Sequence, residues 1–346
     1  MMKNLFLFTC IALILFISGC NVQENGTTTS STVTTTSTTS TKTITICGDG
    51  LCTGGEDAQN CPQDCDKKQN QSLEIHEWGV LGGCVHNRNY IVTSRPKQML
   101  YVDLPIIYVH ANNIDNLNVT VTFSQGKPTD TYPSTKIDNE TNSISWINLE
   151  INPGEDEINA VETDQDYRIP LEEMKPTLNN VDADELVSNG EKTRFLFYEG
   201  ETAFQNQINV TLDVEGGKVA FRNDGNFTAH NVILAHMIGD YMDATTLVAV
   251  GGSLAPGEEK TVGLDEKSTE NLIKGDMLGL GFTQKEVDAF AQTWDNAFFF
   301  PSNTGFTNLI YRLPQYKYEE MLPATFSPQP GKIVRTMYVL VEVSER

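Results

Sequence analysis

The segment TMYVLVEVS, Thr336–Ser344, shows most directly what kind of fold this chain adopts. Its side chains fall into two alternating sets, which are Met337, Val339, Val341 and Val343 on one side and Tyr338, Leu340 and Glu342 on the other. Successive side chains of a β-strand point to opposite faces, so this period of two predicts a strand with one buried face.

The same period recurs upstream in NVTVTFS, residues 118–124, and in QINVTLDV, residues 207–214. Turn-forming runs such as EGG at Glu215 and NDGN at Asn223 separate the alternating segments. Many short strands joined by such turns are typical of β-sandwiches. We therefore predict a mainly β fold from Leu73 onward, in a first β lobe over 73–206 and a second over 207–346.

A helical insertion is predicted in the second lobe, near residues 266–298. In GFTQKEVDAFAQTWDNAFFF, Thr283 is followed three residues later by Glu286, which is the spacing of a helix-capping box. Val287, Phe290, Ala291 and Trp294 then follow helical spacing. The earlier stretch TENLIKGDMLGLG predicts the first half of a small helical hairpin.

The N-terminus predicts export. Lys3 precedes an apolar run from Leu5 to Ile17, which is shorter than the roughly 20 residues that a spanning helix needs. The segment ISGC resembles a lipobox, in which residues 1–19 are removed as a signal peptide and Cys20 is lipidated. Ordinary signal cleavage nearby, or an uncleaved anchor, is the alternative. All three readings place the rest of the chain outside the membrane.

Residues 20–46 predict a stalk. From Thr27 to Thr45, sixteen of nineteen residues are Ser or Thr, the exceptions being Val33, Lys42 and Ile44. Such a segment cannot bury a core, so it stays solvated and extended, and its hydroxyls are candidate O-glycan sites. Six Asn-x-Ser/Thr sequons add candidate N-glycan sites on a surface glycoprotein, at Asn25, Asn70, Asn118, Asn139, Asn209 and Asn226.

The charge balance excludes one class of partner. The formal net charge is −22, from 46 acidic and 24 basic residues, and nucleic-acid phosphates would be repelled by it. It favours solubility at a crowded surface, or attraction of divalent cations.

Residues 47–66 contain four of the seven cysteines, spaced C-x4-C-x8-C-x3-C. In an exported protein, an even cluster of this kind predicts two disulfide bonds among Cys47, Cys52, Cys61 and Cys65. Zinc favours shorter C-x2-C pairs and reduced thiolates. A module this short has no hydrophobic core, so its cross-links supply its stability, about 2–4 kcal/mol each.

This module resembles one that recurs in secreted archaeal and bacterial proteins with the pattern CGxGxCxxGE…CxxDC. Every position of that pattern is matched between Cys47 and Cys65. Four acids in it, Asp49, Glu56, Asp57 and Asp64, are candidate calcium ligands, because calcium prefers carboxylate and carbonyl oxygens. The alternative is that they only solvate a turn-rich knot. No cofactor is required by this reading, and calcium is the one it allows.

Residues 219–264 resemble the Ig-like, adhesion-related domains of archaeal and bacterial surface proteins. The resemblance rests on the turn Asn223–Gly225 and on the turn Leu254–Glu258, where Pro256 presets a bend and Gly257 relieves strain at its tip. It implies an Ig-like β-sandwich assembly and implies little about function.

The region from HEWG, His76–Gly79, to the C-terminal strand resembles a family of exported bacterial and archaeal proteins to which no activity is assigned. Besides HEWG, the resemblance rests on a Thr-Trp helix at Thr293–Trp294 and an Arg-x-Met strand at Arg335–Met337. The segment VLGGCVHNRN after HEWG departs from the pattern of that family.

The candidate residues for chemistry cluster near HEWG. Cys84 and His86 are two apart and share a face of a strand, as soft metal ligands would, and His110 approaches from IIYVHA. His76 and Glu77 point to opposite faces of an extended strand, which favours a structural use of both. His230 and His236 would share a face of an uninterrupted strand. The sequence shows no Gly-x-Ser-x-Gly elbow, His-Glu-x-x-His helix or phosphate loop.

Two functions from different classes follow. The first is a lipid-anchored lipoprotein on the extracellular face of the cell membrane, with a non-catalytic ectodomain that binds a glycan or a cell-envelope protein, or serves as a scaffold. The second is an extracellular metal-dependent hydrolase with its site near His76, Glu77 and His86. Convergence of these side chains with His110 in a pocket would favour the enzyme, whereas a buried Trp78 would favour binding or structure.

Overall fold

The alternating segments form strands in the computed structural model, which describes residues 71–86, 91–92, 98–152, 169–238, 245–299 and 307–344. The strands of these ranges are β1 (Ser72–His86), β2 (Ile91–Val92), β3 (Gln98–Asn112), β4 (Asn116–Thr122), β5 (Gly126–Tyr132), β6 (Lys136–Asp138), β7 (Ser143–Asn152), β8 (Glu185–Ser188), β9 (Glu191–Thr193), β10 (Phe195–Phe204), β11 (Ile208–Asp213), β12 (Lys218–Asn223), β13 (Ala229–Ile238), β14 (Thr245–Leu254), β15 (Glu259–Gly263), β16 (Asp265–Glu266), β17 (Thr307–Arg312), β18 (Ala324–Ser327) and β19 (Lys332–Ser344). The helices are α1 (Ile169–Asn179), α2 (Thr269–Leu280), α3 (Gln284–Thr293) and α4 (Gln315–Met321), and a π-helical turn (Asp295–Phe299) follows α3. The mainly β fold expected from the sequence is confirmed.

Within the described ranges the strands form three sheets. The central sheet has nine strands in the order β16-β14-β13-β17-β19-β1-β3-β10-β5. A four-stranded sheet has the order β15-β12-β11-β2. The remaining sheet has the order β18-β4-β7-β8-β9, with β6 paired to β7.

In the middle of the central sheet, the first described strand, β1, lies beside the last described strand, β19. β1 pairs with β19 in parallel and with β3 in antiparallel orientation. The sheet thus takes strands from both sides of the boundary at 206/207 that separates the two lobes expected from the sequence, and those lobes share one continuous sheet.

Both faces of the central sheet are buried, which differs from the one-faced burial expected for β19. Ile107, Leu196 and Met337 point to one face and pack against the two smaller sheets. Ile106, Phe197 and Tyr338 point to the other face and pack against α1, α2 and α3. The segment NVTVTFS, by contrast, has the expected pattern, with its apolar set buried and its polar set partly exposed or exposed. A strand with covers on both sides tolerates apolar residues in both sets, so alternation alone did not reveal the second cover.

The helical hairpin expected near 266–298 consists of α2 and α3. Thr283 is the N-cap of α3, and its hydroxyl accepts a hydrogen bond from the backbone N–H of Glu286, while the Glu286 carboxylate accepts one from the Thr283 backbone N–H. This confirms the capping box. Ser268 caps α2 in the simpler way, by accepting from the Asn271 backbone N–H.

The two turns on which the Ig-like resemblance rests are hydrogen-bonded to each other. The Asn223 side chain donates to the Phe227 and Leu254 carbonyls, and the Gly257 backbone N–H donates to the Asn223 carbonyl. Gly257 has a φ of 76°, a conformation in which glycine avoids the strain of a side chain. These bonds fix the end of β12 to the end of β14.

Among the described residues, no helix has both the length and the apolar character that a membrane crossing would need.

Candidate functional site

Two histidines and one glutamate meet where the helical hairpin covers the central sheet. His76 lies on β1 and His110 on β3, and the antiparallel register that places Glu74 opposite His110 brings both imidazoles to the same face. Their ring centroids are 4.7 Å apart. Glu286, in the first turn of α3, reaches down between them, because its capping role fixes that turn above the two strands.

The Glu286 carboxylate is the centre of the cluster. Its Oε2 accepts hydrogen bonds from His76 Nδ1 at 2.8 Å and from the Thr283 backbone N–H at 2.8 Å. Its Oε1 lies 2.9 Å from His110 Nε2. Burial alone would raise the pKa of Glu286, but the hydrogen bonds from His110, His76 and Thr283 lower it to about 2. Glu286 is therefore an anion in the folded protein at neutral pH.

His76 lies between two carboxylates. Its Nδ1 faces Glu286, and its Nε2 lies 2.7 Å from Glu74 Oε1. Burial lowers the pKa of His76, yet the hydrogen bonds and charges of Glu286 and Glu74 outweigh this and hold the pKa above its ordinary value. With both ring nitrogens donating to carboxylates, His76 is an imidazolium in this arrangement. Lys332 adds a second cation at the same oxygen of Glu74, Oε1.

The same three side chains have the donor set of a metal site. One ligand atom from each of His76, His110 and Glu286 can be chosen so that all lie within 4.8 Å of one another. Two imidazoles and one carboxylate are a common set for zinc and for other divalent transition metals.

Glu77 lies on the opposite face of β1, in a separate buried cluster. Its Oε2 pairs with Arg335 Nε, and its Oε1 accepts hydrogen bonds from the Tyr198 hydroxyl at 2.6 Å and from the Tyr318 hydroxyl. Arg335 also donates from Nη2 to the Leu322 carbonyl at 2.9 Å and stacks 4.2 Å from the Tyr318 ring centroid. Burial and the negative charge of Glu77 raise the pKa values of both tyrosines.

The other two residues of HEWG pack into the core. Trp78 is fully buried on the helical side, with its ring 5.2 Å from that of Phe290 in an edge-on arrangement. A Cβ atom added at Gly79 would lie 3.1 Å from both Pro105 and Met337, which is a tight contact. Glycine therefore lets the backbone of β1 approach these two residues closely. All of HEWG is thus enclosed.

Two depressions open on the surface of the part of the chain that the structure describes. One of about 410 Å³ lies beside the histidine cluster and is lined by Glu74, His110, Asp184, Lys332 and their neighbours. The other, of about 430 Å³, is lined by several side-chain amides, two of which, Asn206 and Gln207, are engaged internally. Gln207, for example, donates to the Phe227 carbonyl at 3.0 Å and accepts from the Asn226 backbone N–H. The depression lined by Glu74 and His110 is the one that borders the cluster of His76, His110 and Glu286.

The structure brings together some of the residues expected from the sequence and separates others. His76 and His110 converge, and His76 and Glu77 point to opposite faces as expected. The backbones of Cys84 and His86 lie in β1, but their side chains fall outside the part of the chain that the structure describes. His230 is near Ser253, whereas His236 is buried beside Thr307, so the two make separate contacts. Breaks in the register of β13 lie between them.

Several expectations lie outside the described residues. These are the lipidation at Cys20, the disulfides of Cys47, Cys52, Cys61 and Cys65, and the calcium ligands Asp49, Glu56, Asp57 and Asp64.

Glu286 is the functional candidate that the sequence did not reveal as such. It was recognised only as the second half of a capping box. Its separation from His76 is 210 residues and from His110 is 176, so no local spacing connects the three.

Comparisons with known proteins give little further constraint. No family model and no curated protein matches the chain. Among solved structures, the Fcho1 mu homology domain of Danio rerio with bound Eps15 peptide is similar over 81% of this chain and 100% of its own, with a TM-score of 0.32 and 6% identity. The yeast delta-COP-I mu-homology domain complexed with Dsl1 WxWxV peptide is similar over 80% of this chain and 97% of its own, with a TM-score of 0.29 and 8% identity.

Proposed function

We propose that the protein is a lipoprotein of the outer cell surface whose described domain is a non-catalytic binding or structural ectodomain. The observation that supports this most is the enclosure of HEWG. Both nitrogens of His76 face carboxylates, and Glu77 is shielded between Arg335 and two tyrosines. A general base or nucleophile has to reach its substrate, and neither residue is exposed enough to do so.

The proposal includes the anchor and the stalk. Lipidation of Cys20 holds the protein to the membrane, the Ser/Thr-rich segment 20–46 extends it outward, and the cysteine module is closed by two disulfides. Its partner is a glycan or a protein of the cell envelope, and the net charge of −22 disfavours nucleic acid.

We also propose an Ig-like relationship for part of the domain. The four-stranded sheet carries Val219 and Phe221, which share one core with Ala249 of β14 and Val232 of β13. The antiparallel strands β14, β13 and β17 packed against an antiparallel second sheet are what an Ig-like sandwich would have. Extra strands of the central sheet then extend one layer of it.

The second candidate is a metal-dependent hydrolase. Its support is the convergence of His76, His110 and Glu286, with Glu286 rather than Glu77 as the carboxylate. It ranks second because Glu286 and His76 are almost fully buried.

The anchor is tested by labelling. The full chain is expressed in a bacterium that processes lipoproteins, with a labelled fatty acid in the medium, as wild type, Cys20→Ala and Cys10→Ala. We expect the wild type and Cys10→Ala to incorporate label, and Cys20→Ala to incorporate none, whether or not its uncleaved apolar segment still sediments with membranes. Label retained by Cys20→Ala would refute the lipid anchor.

The absence of catalysis is tested separately, on purified full chain with and without added divalent metal. Ester, peptide, phosphoester and glycoside reporter substrates are followed for wild type and Glu286→Gln. Turnover by the wild type that Glu286→Gln abolishes would replace the first proposal with the second.

A further inference from the structure

We propose that His76 Nδ1, His110 Nε2 and one carboxylate oxygen of Glu286 bind a single divalent transition-metal ion of the zinc class. This goes beyond the proposed function, since a non-catalytic ectodomain needs no metal.

The donor atoms are spaced nearly as the ligands of one metal ion are. His76 Nδ1 lies 2.8 Å from Glu286 Oε2 and 3.0 Å from Oε1, and His110 Nε2 lies 2.9 Å from Oε1. Metal bonds of about 2.0–2.2 Å at tetrahedral angles place ligand atoms roughly 3.3 Å apart. The contact of each imidazole nitrogen with Glu286 therefore has to lengthen by only a few tenths of an ångström to admit an ion. The ion replaces the protons that lie between the two imidazoles and Glu286: the proton on His76 Nδ1 leaves to solvent, and His110 binds as the neutral tautomer that carries its proton on Nδ1.

A carboxylate supports His76 from behind. Ligating histidines commonly donate their other ring N–H to a carboxylate, which orients the ring and strengthens the ligand. Glu74 occupies this position, with Oε1 2.7 Å from His76 Nε2, and Lys332 holds Glu74 in turn. This arrangement keeps the proton on Nε2 and directs Nδ1 toward the ion.

Rigid elements hold all three ligands. His76 and His110 lie on adjacent strands of the central sheet, and Glu286 is fixed by its hydrogen bond from the Thr283 backbone. The Phe282 ring packs edge-on against His76 with centroids 5.5 Å apart, which closes the apolar side of the cluster. A site built on such elements loses little conformational freedom when it binds an ion.

The fourth coordination position faces the surface. His110 is the least buried ligand, with 24% of its side chain exposed, against 4% for His76 and 0% for Glu286. It also lines the depression that Glu74, Asp184 and Lys332 border. The position left open by three protein ligands is therefore filled by water or by a small exchangeable ligand entering from this depression.

The rival explanation is a metal-free ion-pair cluster, in which the His76 imidazolium is simply held by its two carboxylates. The two explanations predict different results when the metal is offered.

The experiment uses full-length protein freed of metal with a chelator and titrated with Co²⁺, whose visible absorption reports coordination geometry. We expect one equivalent to bind at this site, with the visible bands of a four-coordinate ion and no sulfur-to-cobalt charge-transfer band, and Zn²⁺ to displace it. The absence of the sulfur band excludes the cysteine module as the source.

The decisive variant is His110→Gln, because His110 lies at the edge of the cluster and its loss leaves the His76–Glu286 contact in place. His230→Gln is the matched control, since His230 is a histidine on β13 outside the cluster. We expect His110→Gln to weaken Co²⁺ binding more than 100-fold, Glu74→Gln to weaken it about 10–100-fold, and His230→Gln to leave it unchanged. Thermal unfolding of each variant checks that it has folded.

Failure of the wild type to bind Co²⁺ with these bands would overturn the proposal and leave the ion-pair cluster. So would binding that His110→Gln, correctly folded, does not weaken. Neither result bears on the anchor or on the absence of catalysis, which are measured by fatty-acid labelling and by substrate turnover.

Discussion

Glu77 and Arg335 stand directly opposite each other on the parallel strands β1 and β19 and form an ion pair with almost no exposure to water. An ion pair this deeply buried is costly to break, because removal of one partner leaves an uncompensated charge in the core.

Arg335→Met should therefore destabilise the protein by about 3–5 kcal/mol, as measured by urea unfolding. The double variant Glu77→Leu/Arg335→Met should recover most of this loss, because it removes both charges. The Tyr198 and Tyr318 hydroxyls, 3.2 Å apart, can then bond to each other. A double variant no more stable than Arg335→Met would show that the tyrosines, rather than the charge pair, dominate this cluster.

The capping box of α3 should contribute more to the stability of the protein than the cap of α2. Thr283→Ala removes the hydrogen bond to the Glu286 backbone and a second one of 2.8 Å to Asp182. We expect Thr283→Ala to lower the free energy of unfolding by about 1–2 kcal/mol, as measured by urea unfolding. Ser268→Ala should lower it by less, because the Ser268 hydroxyl accepts its hydrogen bond from the Asn271 backbone of the same helix. Equal losses in the two variants would mean that the Asp182 contact contributes nothing.

Replacement of two different glycines by alanine should change the stability of the protein in opposite directions. A Cβ at Gly200 would lie 2.3 Å from a Phe123 ring carbon and 2.5 Å from the Lys127 carbonyl oxygen, at a point where the register of β10 shifts. Gly200→Ala should destabilise by about 1–3 kcal/mol. At Gly275, on the exposed face of α2, nothing lies within 4 Å, so Gly275→Ala should stabilise by about 1 kcal/mol. Calorimetry measures the stability of both variants. A Gly200→Ala variant more stable than the wild type would contradict the close contacts inferred at that position.

Glu185 should make stability depend on pH in the acidic range. Burial would raise its pKa, but hydrogen bonds from Lys192 and Asn152 hold the pKa below its ordinary value of 4.5. A carboxyl group with a lowered pKa in the folded state stabilises fully above its unfolded pKa, and this stabilisation is lost as the pH falls toward the folded pKa. Glu185→Gln should thus lower the unfolding free energy at neutral pH, by less than about 1 kcal/mol because Lys192 is largely exposed.

The difference between wild type and Glu185→Gln should shrink as the pH is lowered through that range, in urea titrations at several pH values. A difference that stays constant with pH would rule out this carboxylate as its source.

Peptide mapping under non-reducing conditions should find Cys47, Cys52, Cys61 and Cys65 in two disulfides in exported protein. Four free thiols there would remove the basis for an oxidised extracellular module and reopen zinc binding by those cysteines.

The sequence predicted those features that short-range physics determines. Period-two segments gave the mainly β class, and Thr283 with Glu286 marked the beginning of a helix. The extended geometry of HEWG placed His76 and Glu77 on opposite faces. Each of these depends on residues within a few positions of one another.

The remaining features depend on pairings between distant residues. Arg335 is 258 positions from Glu77, and only the parallel pairing of their strands makes them partners. Likewise, the capping residue Glu286 becomes a partner of two histidines only once α3 has docked on the central sheet. Neither relationship leaves a periodic trace in the sequence.

The parallel pairing of β1 with β19 also has a kinetic consequence. The first described strand cannot gain its parallel neighbour until residues 332–344 have left the ribosome, so the middle of the central sheet forms last during synthesis. Contacts this remote raise the contact order, and proteins of high contact order fold slowly. Until β19 arrives, β17 and β1 each keep an unpaired edge, and an exposed strand edge of this kind is prone to pair with another chain.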